Sequence, residues 1–149
     1  KQFCDLPERV QKRLVLENCE RCFNIEDCLE ISKIINIPVV FDTHHHSCYQ
    51  KLHPLVKLQN GRNYVADILQ TWSKRGIRPK FHVSEQGSGK TGHHSDYIEN
   101  IPLYLRELSN VDIMIEAKMK ERAIFRLRRK YEKPKNFPNP KLTIVKKLL

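Results

Sequence analysis

The stretch "IPVVFDTHHH", residues 37–46, decides the fold. Its short apolar run favours a strand, and Pro38 fits only at the beginning of one. The run ends at Asp42, and three histidines follow at once. A continuous apolar run bounded in this way is typical of a strand that is buried on both faces. We therefore predict a buried strand over 37–42 whose carboxyl end presents polar side chains.

The same order of strand and helix recurs on both sides of this stretch. The further strands that we predict cover residues 13–17, 77–85 and 111–118. We predict a first helix that begins near Asn24, a residue type favoured at the N-cap. Three further helices are predicted over 63–76, about 95–108 and 119–132. Four alternating units of this kind predict an α/β fold with a parallel sheet.

Four βα units are half of an eight-stranded (β/α) barrel of the TIM type. A separate four-stranded parallel sheet would leave long apolar edges exposed. We therefore expect residues 1–132 to be about the second four units of such a barrel, which makes this chain a partial barrel. Residues 133–149 form a basic tail with three prolines, to which we assign no structure.

Each predicted strand carries a metal-binding type of side chain near its carboxyl end. These residues are Glu17, Asp42, His82 and Glu116, at spacings of 25, 40 and 34 residues. Each spacing corresponds to one βα unit, so the four residues would form a ring at the carboxyl ends of the strands. In barrel enzymes the active site lies at this face. A strand-end glutamate is by itself more often an ion-pair partner than a ligand, so the prediction depends on the joint pattern.

Mixed carboxylate and imidazole ligands suit Mn, Zn or Fe, and several carboxylates in one pocket imply more than one cation. The Asp-x-x-His spacing singles out His45 as a further ligand, whereas His44 and His46 are expected to be packing, supporting or surface groups. Lys80 lies two residues before His82 and so shares its face of the strand.

Charge and cysteine content add two expectations. The chain has a net charge of +10, and residues 118–149 hold 12 Lys and Arg against two Glu. A basic segment suits a phosphate backbone, although a solvated helix face explains the charge equally well. Five cysteines are an odd, sparse set, which indicates reduced thiols and an intracellular, reducing compartment.

Neither a membrane span nor a signal peptide is indicated, because no long apolar run exists. The chain lacks an initiator methionine, so we expect it to start inside a longer protein. The loop "SEQGSGKT", residues 84–91, lacks the first glycine of a phosphate-binding loop. We expect Lys90 in this loop to meet a DNA phosphate instead, and Lys118 to lie near the DNA backbone.

The ordered motifs resemble the UV damage endonucleases over residues 13–130. The segments that carry the resemblance are "LEN" (16–18), "IPVVFDTHHH" (37–46), "KFHVS" (80–84), "HSDYI" (94–98) and "VDIMIEAKMKERAIFRL" (111–127). The resemblance implies a (β/α) barrel with a divalent metal cluster, commonly manganese, with Zn²⁺ or Mg²⁺ as alternatives. It also implies incision of double-stranded DNA on the 5′ side of ultraviolet lesions, which leaves a 3′-hydroxyl.

The resemblance also implies roles for single residues. Lys80 and Glu116 match catalytic positions, and Lys80 matches a lysine that is carbamylated in the family. The metal ligands that it implies are Glu17, Asp42, His45, His82, His94 and Glu116. Cys19 stands where the family usually has an acidic residue. The first four βα units are absent, so we expect the fragment to need that N-terminal half as a partner and to be inactive alone.

Two other functions stay open at this point. A sugar isomerase or epimerase would use similar ligands on the same kind of barrel, although the basic C-terminal segment argues against it. A degenerate half-barrel retained as a DNA-binding module is the other alternative. The intact set of ligands argues against it, because a decayed site would have lost some of them.

Overall fold

The computed structural model describes residues 2–132 of the chain. Four strands form one sheet in the order β1-β2-β3-β4, and every pairing is parallel. The predicted α/β class and the parallel sheet are therefore confirmed. The strands are β1 (Leu16–Glu17), β2 (Val39–Asp42), β3 (Lys80–Val83) and β4 (Asp112–Ile115).

Helices connect the strands in sequence. They are α1 (Glu8–Gln11), α2 (Ile25–Ile35), α3 (Thr43–Leu52), α4 (Val65–Thr71), α5 (Leu103–Arg106) and α6 (Glu121–Tyr131), and a 3-10 helix (Gly61–Tyr64) precedes α4. Within residues 2–132, no helix combines the length and the apolar character that crossing a bilayer requires. The predicted tail, residues 133–149, lies outside the described residues.

The two faces of the sheet differ in chemistry because side chains alternate along a strand. One face packs against α2 and α4, and its largest side chains are Phe41 and Phe81, both 0% exposed. Burial of each such ring contributes roughly 1.5–3 kcal/mol. Trp72 closes this core, and its Nε1–H donates to the carbonyl of Val39 at 2.8 Å.

The opposite face holds the polar side chains. Asp42 lies directly across from His82 in the β2–β3 register, so both reach the same edge of the sheet. The core on the other side fixes this register, because a slip of one residue would exchange the two faces.

Three helices differ from the sequence prediction, and two of them, α1 and α3, were not predicted. The polar segment after Asp42 forms α3 because the Asp42 carboxylate caps it at the first turn. The helix that was predicted from about 95 to 108 is wrong, and only Leu103–Arg106 is helical. Pro102 is the cause, because the residue before a proline is driven away from helical angles.

The other helices agree in place but differ in length. α2 begins after Asn24, which forms a capping box with Asp27, as the sequence indicated. α4 ends at Thr71, several residues before Gly76, whose φ of +65° belongs to the following turn. α6 matches the predicted 119–132 closely.

Candidate metal centre

Asp42 is the last residue of β2, the N-cap of α3 and a member of the candidate metal centre. One of its carboxylate oxygens, Oδ1, accepts the backbone N–H groups of His44 and His45 at 2.7 and 2.8 Å, which starts α3. The other, Oδ2, is buried and has no hydrogen-bond partner among residues 2–132. A buried, unpaired carboxylate oxygen is costly unless a cation or a donor compensates it. The orphaned oxygen is therefore a place where a cation would fit.

Four side chains, including that of Asp42, converge in one cluster. Ligand atoms of Glu17, Asp42, His82 and Glu116 all lie within 4.8 Å of one another. His82 is central, since its Nδ1 lies 2.9 Å from Glu17 Oε1 and 3.2 Å from Glu116 Oε1. The four strand-end residues that the sequence singled out are thus brought together, one from each βα unit.

The remaining two predicted ligands lie at the rim of this cluster. His94 Nε2 is 3.7 Å from Glu116 Oε2, and His45 Nδ1 is 3.7 Å from Glu17 Oε1. The rings of His45 and His94 are 6.3 Å apart between centroids. Both imidazoles therefore lie next to the four-residue cluster.

Burial and charge set the protonation of the cluster. Burial pushes the pKa of His82 down, but its hydrogen bond to Glu17 and the nearby carboxylates outweigh burial and raise the pKa above its ordinary value. The same hydrogen bond lowers the pKa of Glu17, whereas burial raises the pKa of Asp42. A carboxylate cluster of this kind is stabilised by added positive charge, from protons or from metal ions.

Asn18 is a supporting residue that sequence reasoning missed. Its side chain is 0% exposed and pairs with the backbone of Asp42 in both directions, accepting from the N–H at 2.9 Å and donating to the carbonyl at 3.0 Å. Its own carbonyl oxygen lies 3.0 Å from His45 Nδ1. The tautomer in which Nδ1–H donates there leaves Nε2 of His45 unprotonated. The available signal was an amide directly after a strand end.

His44 and His46 are buried supporting residues, so the surface alternative is wrong for both. The sulfur of Cys48 lies 3.5 Å from His44 Nε2. His46 Nε2 lies 3.0 Å from the carbonyl oxygen of Gln59, and its ring packs edge-on against Phe41. Burial lowers the pKa of both imidazoles, which favours their neutral form.

Gln86 shapes the loop that precedes His94, a role that the sequence analysis did not predict. Its amide donates to the carbonyls of Gly87 and Lys90 at 2.8 and 3.0 Å and accepts from the N–H of Gly92 at 2.9 Å. Gly87 lies so close to His94 that an added Cβ would stand 2.2 Å from the His94 carbonyl oxygen. Only glycine permits this approach.

The three predicted lysines occupy different places. Lys80 Nζ pairs with Asp112 Oδ2 at 2.7 Å, across the β3–β4 pairing. Lys90 and Lys118 are exposed at the edge that carries the cluster. The backbone N–H of Lys118 donates to the carbonyl of Ser95 at 3.0 Å, which ties the β4–α6 connection to the loop after His94.

Comparison with known proteins agrees with this arrangement. The chain is 38% identical over 129 residues to a UV DNA damage endonuclease of Bacillus cereus (strain G9842), which covers 82% of this chain and 39% of the relative. It is 36% identical over 146 residues to a UV-damage endonuclease of Schizosaccharomyces pombe, covering 89% of this chain and 22% of the relative.

A solved structure described as "Crystal Structure of SacUVDE" superposes with a TM-score of 0.71 at 34% identity, covering 86% of this chain and 43% of that one. The chain thus spans less than half the length of these relatives. The sequence profile of the family described as "UV-endonuclease UvdE" matches residues 1–142. On that match, the chain belongs to the UV-endonuclease UvdE family.

Proposed function

We propose that this chain is the C-terminal half of the catalytic barrel of a metal-dependent DNA repair endonuclease. The observation that carries the proposal is the convergence of Glu17, Asp42, His82 and Glu116 within 4.8 Å in a member of this family. Relatives from bacteria and fungi bear the name UV damage endonuclease. The proposed reaction is hydrolysis of the DNA backbone on the 5′ side of an ultraviolet photoproduct.

The sheet supports the barrel part of the proposal. Its strands follow each other in chain order and are all parallel, as they are in consecutive units of a (β/α) barrel. The chain covers 39% of the Bacillus relative and 43% of the SacUVDE chain. We propose that an N-terminal half pairs with β1 and β4, and that incision requires both halves.

The residues of the cluster fit a divalent cation. Hard carboxylate oxygens with imidazole nitrogens suit Mn²⁺, and also Zn²⁺ or Mg²⁺. Glu17, Asp42, His82 and Glu116 would hold the ions, with His45 and His94 added from the rim. Bound cations would lower the pKa of a coordinated water and stabilise charge on the phosphoryl oxygens.

The protein's own groups have separate tasks in this scheme. Asp42 is held by its cap bonds to α3, so its free oxygen keeps one direction. Asn18 fixes both the backbone of Asp42 and the ring of His45. Preorganisation of this kind lowers the cost of assembling the site when substrate arrives.

Lys80 is proposed to act as a carbamate. An ammonium group would repel the cations, whereas a carbamate is an anion that can ligate them. In the structure the ammonium is paired with Asp112, so carbamylation would exchange this ion pair for a place on the cluster's face of β3. Mass spectrometry of peptides that contain Lys80 tests this step.

The flanking lysines are proposed to position DNA. Lys90 and Lys118 are exposed on the two connections that frame the cluster, after β3 and after β4. Contacts from such lysines to phosphates orient a duplex without reading its sequence.

Nicking of irradiated plasmid by the full-length protein tests the proposal. Glu116→Gln should abolish nicking and leave DNA binding intact, because it removes a carboxylate from the cluster. Glu107→Gln is the matched control, since this glutamate is exposed and stands after α5. A chelator should stop nicking, and added Mn²⁺ should restore it. Normal nicking by Glu116→Gln would refute the assignment.

A further inference from the structure

A basic cleft lies between α6 and the segment that follows His94. Its volume is about 480 Å³, and it is lined by Tyr97, Arg122, Phe125, Arg126 and Arg129. Phe125 is 55% exposed and forms an apolar wall. The cleft thus combines three guanidinium groups with two aromatic rings.

The periodicity of α6 produces the cluster of arginines. Residues 122, 126 and 129 are spaced by four and three, so their side chains share one flank of the helix. The buried stripe of α6, Ala123 and Leu127, turns this flank away from the core.

Charge in the cleft is only partly compensated. Arg126 pairs with Glu99 at 2.7 Å and lies over the ring of Tyr97 at 5.0 Å, which fixes its orientation. Among the residues that the structure describes, Arg122 and Arg129 have no carboxylate within ion-pair distance. Two guanidinium groups are thus available to an anion.

The cleft begins beside the metal centre. The N–H groups of Lys118 and Met119 donate to the carbonyls of Ser95 and Asp96, both at 3.0 Å. These bonds join the segment after His94 to the connection between β4 and α6. Both segments follow directly after a residue of the candidate metal centre. His94 precedes one of them by a single residue, and Glu116 precedes Lys118 by two residues.

We propose that this cleft binds the sugar-phosphate backbone of the DNA strand that leads to the metal centre. Arginine matches phosphate with paired, directional hydrogen bonds, and an aromatic wall beside arginines is typical of surfaces that follow a nucleic-acid strand. That DNA is the partner rests on the proposed function. The cleft sets the position of the backbone relative to the cluster and reads no base.

Salt dependence of DNA binding by the full-length protein tests the proposal. The variant is Arg122→Gln with Arg126→Gln and Arg129→Gln, since glutamine retains helix propensity. The control is Arg13→Gln with Lys33→Gln and Lys74→Gln, which removes the same charge from exposed positions before β1, in the last turn of α2 and after α4. The probe is a short fluorescein-labelled duplex, and fluorescence anisotropy gives the affinity at several salt concentrations.

Each phosphate contact that is lost should change the slope of log K against log salt by about 0.9. The cleft variant should therefore have a slope shallower by roughly two to three, whereas the control keeps a slope close to that of the parent. Replacement of the same three arginines by lysine should restore most of the slope. Equal slopes for the cleft variant and the control would overturn the proposal.

Incision is measured separately, so the two proposals can fail independently. Glu107→Gln should keep the parental slope, because the exposed Glu107 follows α5 and lies in neither the cluster nor the lining of the cleft. If the cleft variant lowers the slope but the full-length protein never incises DNA, only the proposed function fails. If incision is normal and the cleft variant keeps the parental slope, only the cleft assignment fails.

Discussion

Replacement of Asn18 by alanine should destabilise both the fold and the metal centre. The side chain of Asn18 extends the β1–β2 pairing by one residue, because its amide occupies the hydrogen-bonding positions of a backbone partner for Asp42. Alanine removes the donor and the acceptor at once. The N–H and the carbonyl of Asp42 are then buried without partners.

The cost follows from those two groups. A buried backbone group that loses its partner costs about 1–3 kcal/mol, so the free energy of unfolding should fall by about 3 kcal/mol. For a chain of this size, that loss lowers the Tm by roughly 10 °C. Metal affinity should fall by about 10–100-fold, because the backbone of Asp42 is no longer held by the Asn18 side chain. The contact of His45 is retained, since it is made to the backbone carbonyl of residue 18.

Urea unfolding and metal titration measure the two effects. Asn63→Ala is the matched control, because the amide of Asn63 is exposed and bonds only to Gln59 within the described residues. That variant should stay within about 0.5 kcal/mol of the parent. If Asn18→Ala behaves like Asn63→Ala in both measurements, the paired hydrogen bonds do not hold the site in place and the reasoning is wrong.

Two further predictions concern protonation. The folded pKa of His82 is raised above its ordinary value of 6.5, so its contribution to stability is complete below pH 6.5 and is lost as the pH rises through the folded pKa. The Tm of the metal-free chain should fall over that range, and His82→Gln should weaken the fall; an unchanged pH profile in this variant would contradict the assignment. Burial raises the pKa of Cys28 to about 12, so iodoacetamide at neutral pH should label the exposed Cys4 far faster than Cys28, as mass spectrometry of the peptides can show. Equal labelling rates in the folded chain would mean that Cys28 is not shielded.

The strands and the convergence of their end residues were predictable because the sequence signals for them are local. The apolar run before Asp42 marks a strand by itself, and the spacing to His82 and Glu116 follows from one helix between neighbours. The same local pattern predicted α6, whose core stripe repeats at helical spacing.

The features that sequence reasoning missed depend on distant contacts. α3 is polar in sequence, and its stability comes from the cap by Asp42 and from His46, which packs on Phe41. The role of Asn18 depends on a partner 24 residues away. Lys80 and Asp112 are 32 residues apart in the sequence, so the sequence near either residue does not predict their ion pair.

The four candidate ligands lie at or next to the ends of four different strands, so their convergence depends on strand register. Glu17 and Glu116 are 99 positions apart along the chain, yet they contact the same histidine. If any one strand slid by a single residue, its ligand would turn to the helix-covered side and the centre would lose a quarter of its inner ligands. A bound ion would therefore connect all four strands of the sheet. Its release would loosen β1 and β4 first, since each of them has only one neighbour in the described sheet.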